Sequence, residues 1–564
     1  MYVKITHSGP RRYVQLVESF RNEAGKVKQR TIATLGRLDQ IDGNLEAVIS
    51  GLLRITGRPD TGSSPSAISF ESSRALGDIW ALHELWNTLG FASLARTFRN
   101  TRHTIDLEAL IRLMVFNRLC DPESKRGVLR WLDTVAFPGL DASQVSHDHL
   151  LRAMDALIER REAVDKRVAE LLCPLIDQDL SVVFYDMTTI RAEGQSEQKN
   201  DLRQFGMAKE GLIARQFMLG VVQTADGLPL FHEVFEGNAS ETQTLVPTVS
   251  KVLERYPGIR RIILIADRGL LSLDNLEALS TIRLEHGAAL EFILAVPGRR
   301  YYEFAELLEP FDRAQCREAP AEVVGETAWN DLRLVIAHDP VRAAGQTKKR
   351  RDEIQTLLEQ GERWAGKLDA QDEGQAKRGR KLSDSGAKAR FYRAVVEAHL
   401  ARIIRVDLKS DVFAYEIDER AQTVAERMDG KLLLVTNVRD LTTTEIIARY
   451  KSLADIERGF RVLKSELEIG PVFHRLPERI RAHALICFMA LILYRIMRMR
   501  LKRAQTNYSP ERALETLRRI QRHRIRLGSD KPIEGISSIT DEQSRVFQAL
   551  GIKKPTSSQH RALL

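Results

Sequence analysis

The sequence predicts an α/β protein: a mixed five-stranded sheet with helices, interrupted by a β-containing insertion and preceded by a small β meander and a helical region. Three observations lead there. Apolar β-type runs alternate with helical stretches between 181 and 296. Residues 70–175 carry apolar side chains at helical spacing. Two of the β-type runs stop at an aspartate, Asp186 after Phe184-Tyr185 and Asp267 after Ile265-Ala266.

Taken in order, Tyr2–Thr6, Tyr13–Phe20 and Val27–Leu35 are β-prone, with a turn at Asn22-Glu23-Ala24-Gly25-Lys26. A short helix is expected around 44–56, and the Pro, Gly and Ser of 58–66 read as a linker. Leu76, Ile79, Trp80, Leu82 and Leu85, then Leu110, Ile111, Met114 and Val115, mark helices. Arg102, Arg112, Arg118, Lys125, Arg126 and Arg130 make this region basic, which suits DNA binding and equally suits solvated helix faces. Ser181–Tyr185 is a strand ending at Asp186. Arg215–Thr224 and Leu228–Glu236 are two more, joined by the hairpin signature Ala225-Asp226-Gly227. Glu241–Arg255 fits a helix, Ile262–Ala266 a buried strand ending at Asp267, Leu273–Leu284 a helix, and Glu291–Val296 a fifth strand. This order is the ribonuclease-H-like topology, in which the first and fourth strands lie side by side and bring Asp186 next to Asp267.

Residues 300–440 interrupt that core with β-type pieces (Leu332–His338, Val412–Ile417, Leu432–Val438) and a charged helical part. Its basic clusters, Lys348–Arg351 and Lys377–Lys381, are solvated or track phosphates. Helical character returns at 442–467 and 477–503. The chain thus divides into 1–60, a meander plus short helix; 70–175, helical and DNA-binding; 178–300, the first part of the core; 300–440, the insertion; 441–505, the second part; and 506–564, a basic segment and tail.

Composition sets the class of partner. The 564 residues carry 85 Lys and Arg against 76 Asp and Glu, a net charge of +9. A basic excess favours a polyanion through counterion release. At 43% hydrophobic the chain has enough apolar residues for a full core. Cys120, Cys173, Cys316 and Cys487 are far apart without a C-x-x-C, so neither a zinc ribbon nor a disulfide framework is indicated. The N-terminus lacks an apolar signal core. Leu485–Tyr494, about ten residues, is too short to cross a bilayer and suits a buried helix. A cytosolic protein with no membrane partner is expected.

The third informative segment is the helix expected over Leu441–Leu467. Leu453, Ile456, Phe460, Leu463 and Leu467 form an apolar stripe. At about 100° per residue, Tyr450, Glu457, Arg461 and Lys464 share an adjoining face. Alone, the helix reads more readily as an ordinary amphipathic one with Glu457 and Arg461 as an i, i+4 pair. The two upstream aspartates shift the balance, because three carboxylates around hard cations are what phosphodiester cleavage needs.

Here the chain resembles the DDE transposases of bacterial insertion sequences, in the branch with a Tyr-x2-Arg-x3-Glu-x6-Lys signature and a β-rich insertion before the catalytic Glu. Tyr450, Glu457 and Lys464 match that spacing. Asp186 in Phe-Tyr-Asp-Met-Thr-Thr matches the first Asp, and Asp267 in Ala-Asp-Arg-Gly the second. Pro471–His474 and Arg479–His483 resemble the segment after the signature. The likeness covers about 180–500. One position departs: the signature Arg falls at Leu453, which puts a phosphate contact in doubt, and Arg461 or Arg458 stands near enough to replace it, Arg461 the better placed.

The resemblance implies that Asp186, Asp267 and Glu457 are catalytic and hold two Mg²⁺ ions, with Mn²⁺ able to substitute. Tyr450, Arg458, Arg461, Lys464 and Arg268 would contact DNA. It implies cleavage at the ends of a mobile element and joining of the freed 3′-OH to target DNA. No covalent protein–DNA intermediate is required. The partners would be double-stranded DNA, at element ends and target, and a second copy in a synaptic dimer; the place would be the bacterial cytosol, on the nucleoid. Two other readings stay open: a stand-alone metal-dependent nuclease of the same fold, and a non-catalytic DNA-binding derivative. Gly269 suits a strand-to-helix turn. His474 and His483 read more readily as packed or surface groups than as site residues, Trp329 and Trp364 as core rather than as holders of a flipped base, and Asp411, Asp418 and Asp455 as surface carboxylates.

Overall fold

A computed structural model describes the chain except residues 24, 42–48, 50, 52, 54, 58–67, 100–104, 178–180, 195, 197, 199, 208–212, 268–272, 313–320, 375–381, 528–531 and 557–564; side chains are described for the same set less 41, 68, 181, 207, 241–242, 273–274, 454–457 and 527. The expected helix at 44–56 falls largely, and the 58–66 linker wholly, outside the described residues.

The chain forms two compact units, one of Met1–Arg74 with Gln521–Ser538 and one of Ala75–Ile520 with Ile539–Leu564. In the first, β1 (Tyr2–Ser8), β2 (Arg11–Arg21) and β3 (Val27–Arg37) make the expected antiparallel meander. The Asn22 side chain closes the turn by accepting from the Lys26 N–H at 3.0 Å. A second sheet of this unit contains β4 (Ile68–Ala75).

The second unit opens with helices α1 (Gly77–Thr88), α2 (Leu107–Cys120), α3 (Lys125–Leu132), α4 (His147–Glu159) and α5 (Arg161–Leu172). Side chains of Asp106, Ser124 and Ser146 cap α2, α3 and α4. Then follow β5 (Ser181–Arg191), β6 (Gln204–Met207), β7 (Ile213–Thr224), β8 (Pro229–Glu236), α6 (Glu241–Arg255), β9 (Ile262–Ala266), α7 (Leu273–Thr281) and β10 (Glu291–Ala295). The insertion adds β11 (Val323–Trp329), β12 (Leu332–His338), α8 (Pro340–Asp372), α9 (Asp384–Glu397), β13 (Ile404–Val406), β14 (Tyr415–Ile417), α10 (Glu419–Met428) and β15 (Lys431–Thr436). The chain continues with α11 (Thr443–Lys451), α12 (Ala454–Arg461), α13 (Pro477–Arg503), α14 (Pro510–Arg518), β16 (Gln521–Leu527), β17 (Ile533–Ile536) and α15 (Asp541–Leu550).

Among the described residues nine strands form one mixed sheet, ordered β11-β12-β15-β10-β9-β5-β7-β6 with β8 on β7. The first and fourth strands of the sequence reading, β5 and β9, pair in parallel as expected, from Ser181 opposite Ile262 to Tyr185 opposite Ala266. Every residue of β9 is buried, as a parallel strand covered on both faces must be. The insertion does not stand clear of this sheet: β15 pairs with β10 and β12 with β15. Val412–Ile417 yields only the short β14, paired with β13 over a satellite core of Phe391, Trp364, Phe413 and Tyr415.

One face of the sheet carries Phe184, Ile263, Ile265 and Ile293 against Ile446 and Ile447 of α11. The other meets α6, where Tyr185 donates to Thr244 Oγ1 at 2.8 Å. Helix α13 is buried nearly all round. By length and composition it could span a membrane, yet 94% of its most apolar window lies inside the protein, as for a core helix. It packs against α2, α4 and β8, and Phe488 stacks on His232 at 4.4 Å.

Candidate active site

Asp186 and Asp267 arise from strand register. The last β5–β9 pair is Tyr185 with Ala266, so the next residues along are the two aspartates. Side chains alternate across a strand. Asp186 therefore faces with Phe184, and Asp267 with Ile265, toward the layer that holds α11. Both are half-buried. Asp186 does not end its strand, contrary to the sequence reading: β5 runs on to Arg191, because Met187 through Arg191 keep pairing with β7. Only β9 stops at its aspartate. Asp186 Oδ1 accepts from the Met187 N–H at 2.7 Å.

The expected single helix over 441–467 is in fact broken. Thr442 and Glu445 form a capping box at the start of α11. Helix α11 ends at Lys451, α12 runs from Ala454, and Val462–Glu466 form a π turn. Tyr450 in the last turn of α11 donates its hydroxyl to Asp267 Oδ1 at 2.9 Å. Leu453, at the break, packs with Tyr450 against the sheet core; the position of the signature Arg is thus an apolar contact. Helix α12, carrying Glu457, lies against β5, and the Glu457 side chain is outside the described residues. Gly459 explains the close approach: a Cβ there would sit 2.7 Å from Gln223 Nε2 and 3.0 Å from Arg495 Nη2.

Arg458 and Arg461 are exposed. Arg461 has no ion pair among the described residues. Lys464, half-buried in the π turn, lines a cavity of about 500 Å³ with Thr189, Arg191 and Gln216. Arg268 and Gly269 lie outside the described residues.

Other expectations resolve structurally. Trp329 meets Phe304 edge-on and Trp364 meets Phe391 and Phe413, so both are packing groups. Asp418 caps α10 and pairs with Arg405. The Lys348–Arg351 cluster is largely neutralised: Arg350 binds Asp429 and Arg351 binds Glu426. Lys377–Lys381 lies outside the described residues, as does Cys316; among the described residues Cys120 and Cys487 are free thiols. The basic charges of 70–175 are not simply solvated faces. Arg112 is buried on Glu108 at 3.1 Å, and Arg118 is buried against backbone carbonyls of Leu467 and Glu468.

Sequence reasoning missed Gln223, fully buried under α12 with no partner for its amide among the described residues. The signal was an amide closing the apolar run Leu219–Val222. As to an ion, no group of three His, Cys, Asp or Glu gathers among the described residues. The two aspartates, hard oxygen donors at neighbouring register positions, fit a divalent cation, and Asp267 retains Oδ2 beyond its bond from Tyr450.

A mixed α/β sheet with two aspartates on paired strands, one of them bonded to the Tyr450 hydroxyl, suits an enzyme of the transposase class. The chain belongs to the DDE transposase family: the model of the transposase DDE domain matches residues 177–493, more than half of its length. The N-terminal domain of the IS1634 family of transposases matches residues 2–65. No curated protein matches the chain.

Proposed function

We propose that this transposase cuts the ends of its element by hydrolysis and joins the freed 3′-OH to target DNA. Asp186, Asp267 and Glu457 form the acidic triad of a ribonuclease-H-like core split by the 300–440 insertion. They would hold two Mg²⁺ ions, replaceable by Mn²⁺. When bound, the ions supply positive charge to the attacking and leaving oxygens of an in-line displacement. The residues of the chain do the positioning. Tyr450 fixes the rotamer of Asp267, and Arg458, Arg461 and Lys464, with Arg268, orient the DNA backbone by charge. In the first step water attacks the phosphodiester and the 3′-oxygen leaves. In the second that oxygen attacks a target phosphodiester and displaces its 3′-oxygen. Paired ends would be held by two copies of the chain on nucleoid DNA.

The observation that carries this reading is the β5–β9 register with the Tyr450 to Asp267 bond. It unites three residues distant in sequence but matched to one family pattern. Asp186→Asn, Asp267→Asn and Glu457→Gln should each abolish cleavage and leave gel-shift affinity within about twofold, since phosphate contacts come from cations. Equal loss of binding would contradict the division of roles. A joining assay on pre-cleaved ends separates this enzyme from a simple nuclease, which would give no strand-transfer product.

A further inference from the structure

A second cavity, of about 740 Å³, is walled by the end of α2, the start of α3, the start of α4, residues 468–476 and the first turns of α13. Its lining is cationic. Lys125, the first residue of α3, is only 7% exposed and has no carboxylate or hydrogen-bond partner among the described residues. Arg118 is 4% exposed, and its Nε–H is buried without a partner there. Arg126 and Arg475 stand exposed at the rim, and Arg479 already binds Asp155 at 2.9 Å. Two carboxylates also line the space. Glu123 is turned onto the Ser124 N–H at 3.3 Å, and Glu468 is exposed.

Burying an unpaired cation such as Lys125 is costly, and a cation at a helix N-terminus opposes the helix dipole; Arg118 beside it is satisfied at both Nη groups by carbonyl oxygens. The groups feel each other. Burial first, then Arg118, holds Lys125 down to about 7; burial first, then Lys125, holds His474 down to about 3. His483 gives one ring nitrogen to the Ile469 carbonyl at 2.9 Å, and its Nδ1 is buried without a partner among the described residues. A bound anion would offset the charge of Lys125 and Arg118.

The cavity is also in line with the active site. Ala192, just past β5, bridges to Val472 in the cavity wall. Ala192 lies six residue steps beyond Asp186, about 20 Å of strand at roughly 3.3 Å each. Gly470 and Pro471 form a wall common to this cavity and to the smaller one that holds Lys464. Beside it Phe473 is 70% exposed, an aromatic face of the kind on which sugars and bases rest. We propose that this cavity is a second phosphate site, holding one backbone phosphate of the element-end DNA on Lys125 and Arg475, with Arg118, tied to backbone carbonyls, adding charge behind them. The site rests on the transposase reading and lies about six base steps from the scissile phosphate, at about 3.4 Å per step.

The test uses the full chain and a duplex from the DNA flanking its coding sequence, with single phosphates replaced in turn by neutral methylphosphonates. For the wild type, one replacement near that distance should weaken binding about tenfold. In Lys125→Met the same replacement should matter less than twofold, and the salt slope of binding should fall by about one. Removal of a buried charge leaves Lys125→Met no less stable than wild type. Should it fail to fold, the exposed Arg475→Ala must show the same loss of sensitivity. An unchanged replacement profile in these variants, with the wild type still cutting the duplex, overturns the second site alone. A wild type that neither binds nor cuts the duplex overturns the transposase reading beneath it. Millimolar inorganic phosphate raising the melting temperature of wild type but not of Lys125→Met, with the profile unchanged, would assign the cavity to a free anion and also overturn the proposal.

Discussion

Tyr450 does two things with one side chain: its ring packs on the sheet core beside Leu453, and its hydroxyl reaches Asp267. A hydrogen bond to a charged group contributes about 1.5–3 kcal/mol, here to the orientation of the carboxylate proposed to hold an ion. Tyr450→Phe keeps the packing and removes the bond. Its cleavage rate should fall by about tenfold, the Mg²⁺ concentration for half-maximal rate should rise, and DNA affinity should hold. An unchanged Mg²⁺ titration would remove Tyr450 from the site. Lys125 gives a second prediction, in pH. Its folded value lies below the ordinary 10.5, held there first by burial and then by Arg118, against an opposing pull from Cys487. A base lowered on folding costs stability fully below its folded value of about 7, and that cost fades as pH rises toward 10.5. Lys125→Met should therefore melt above wild type at pH 6, by on the order of a few kcal/mol, with the gap closing by pH 10. A gap independent of pH would mean the lysine is not buried as a strained cation.

Among the elements, α12 matters most to the proposed site, because it carries Glu457, lies against β5 and meets Gln223 of β7 and Arg495 of α13 at Gly459. The Cβ of Gly459→Ala would fall 2.9 Å from Gln223 Oε1 and 3.0 Å from Arg495 Nη2, both of them buried side chains. Inserting a methyl group into such packing costs about 1–3 kcal/mol, taken up by a shift of these two side-chain ends or by the helix lifting off the sheet. The variant should melt a few degrees lower and lose cleavage far more than DNA binding; full activity would show that α12 tolerates displacement. The sequence made the sheet around this helix legible and the helix itself less so. Strands β7 to β10 stood out within a residue or two because apolar runs bounded by turns have few alternatives. The end of β5 was misread because Asp186 looked like a terminator, whereas Met187 and Ile190 continue the ladder and bury. The break after Lys451 left no mark, since Ser452 and Leu453 keep helical φ and ψ while the π turn at 462–466 alters the phase. The joining of β15 to β10 depends on pairing across more than a hundred residues, which local pattern does not encode. The Arg-rich strand β16 was missed because its charges conceal a β ladder. Of the candidate site, the residue types and spacings were legible; the hydroxyl bond between Tyr450 and Asp267 was not.

At the scale of the whole molecule, the charge excess is less available than composition suggests. Many of the 85 cations are already paired internally, from Arg112 within the helices to Arg350 in the insertion. The first compact unit illustrates what such pairs hold together, because it is assembled from both ends of the chain. Strand β16 joins β4 and β17 in one sheet, and Ser73 donates to Gln521 Oε1 at 2.5 Å. Glu71 on β4 meets both Arg524, at 2.9 Å, and Arg526 on β16. Partly exposed ion pairs contribute little singly, about 0–1 kcal/mol, but like charges opposed across a strand pair destabilise it. The double variant Arg524→Glu with Arg526→Glu sets three carboxylates on one strand pair and should loosen β4 from β16. Limited proteolysis should then cut within 1–74 sooner than in wild type, while the melting of the unit built on the large sheet stays where it was. If that second transition moved as well, the two units would be energetically one, and the division of the chain at Arg74 and Gln521 would have no thermodynamic meaning.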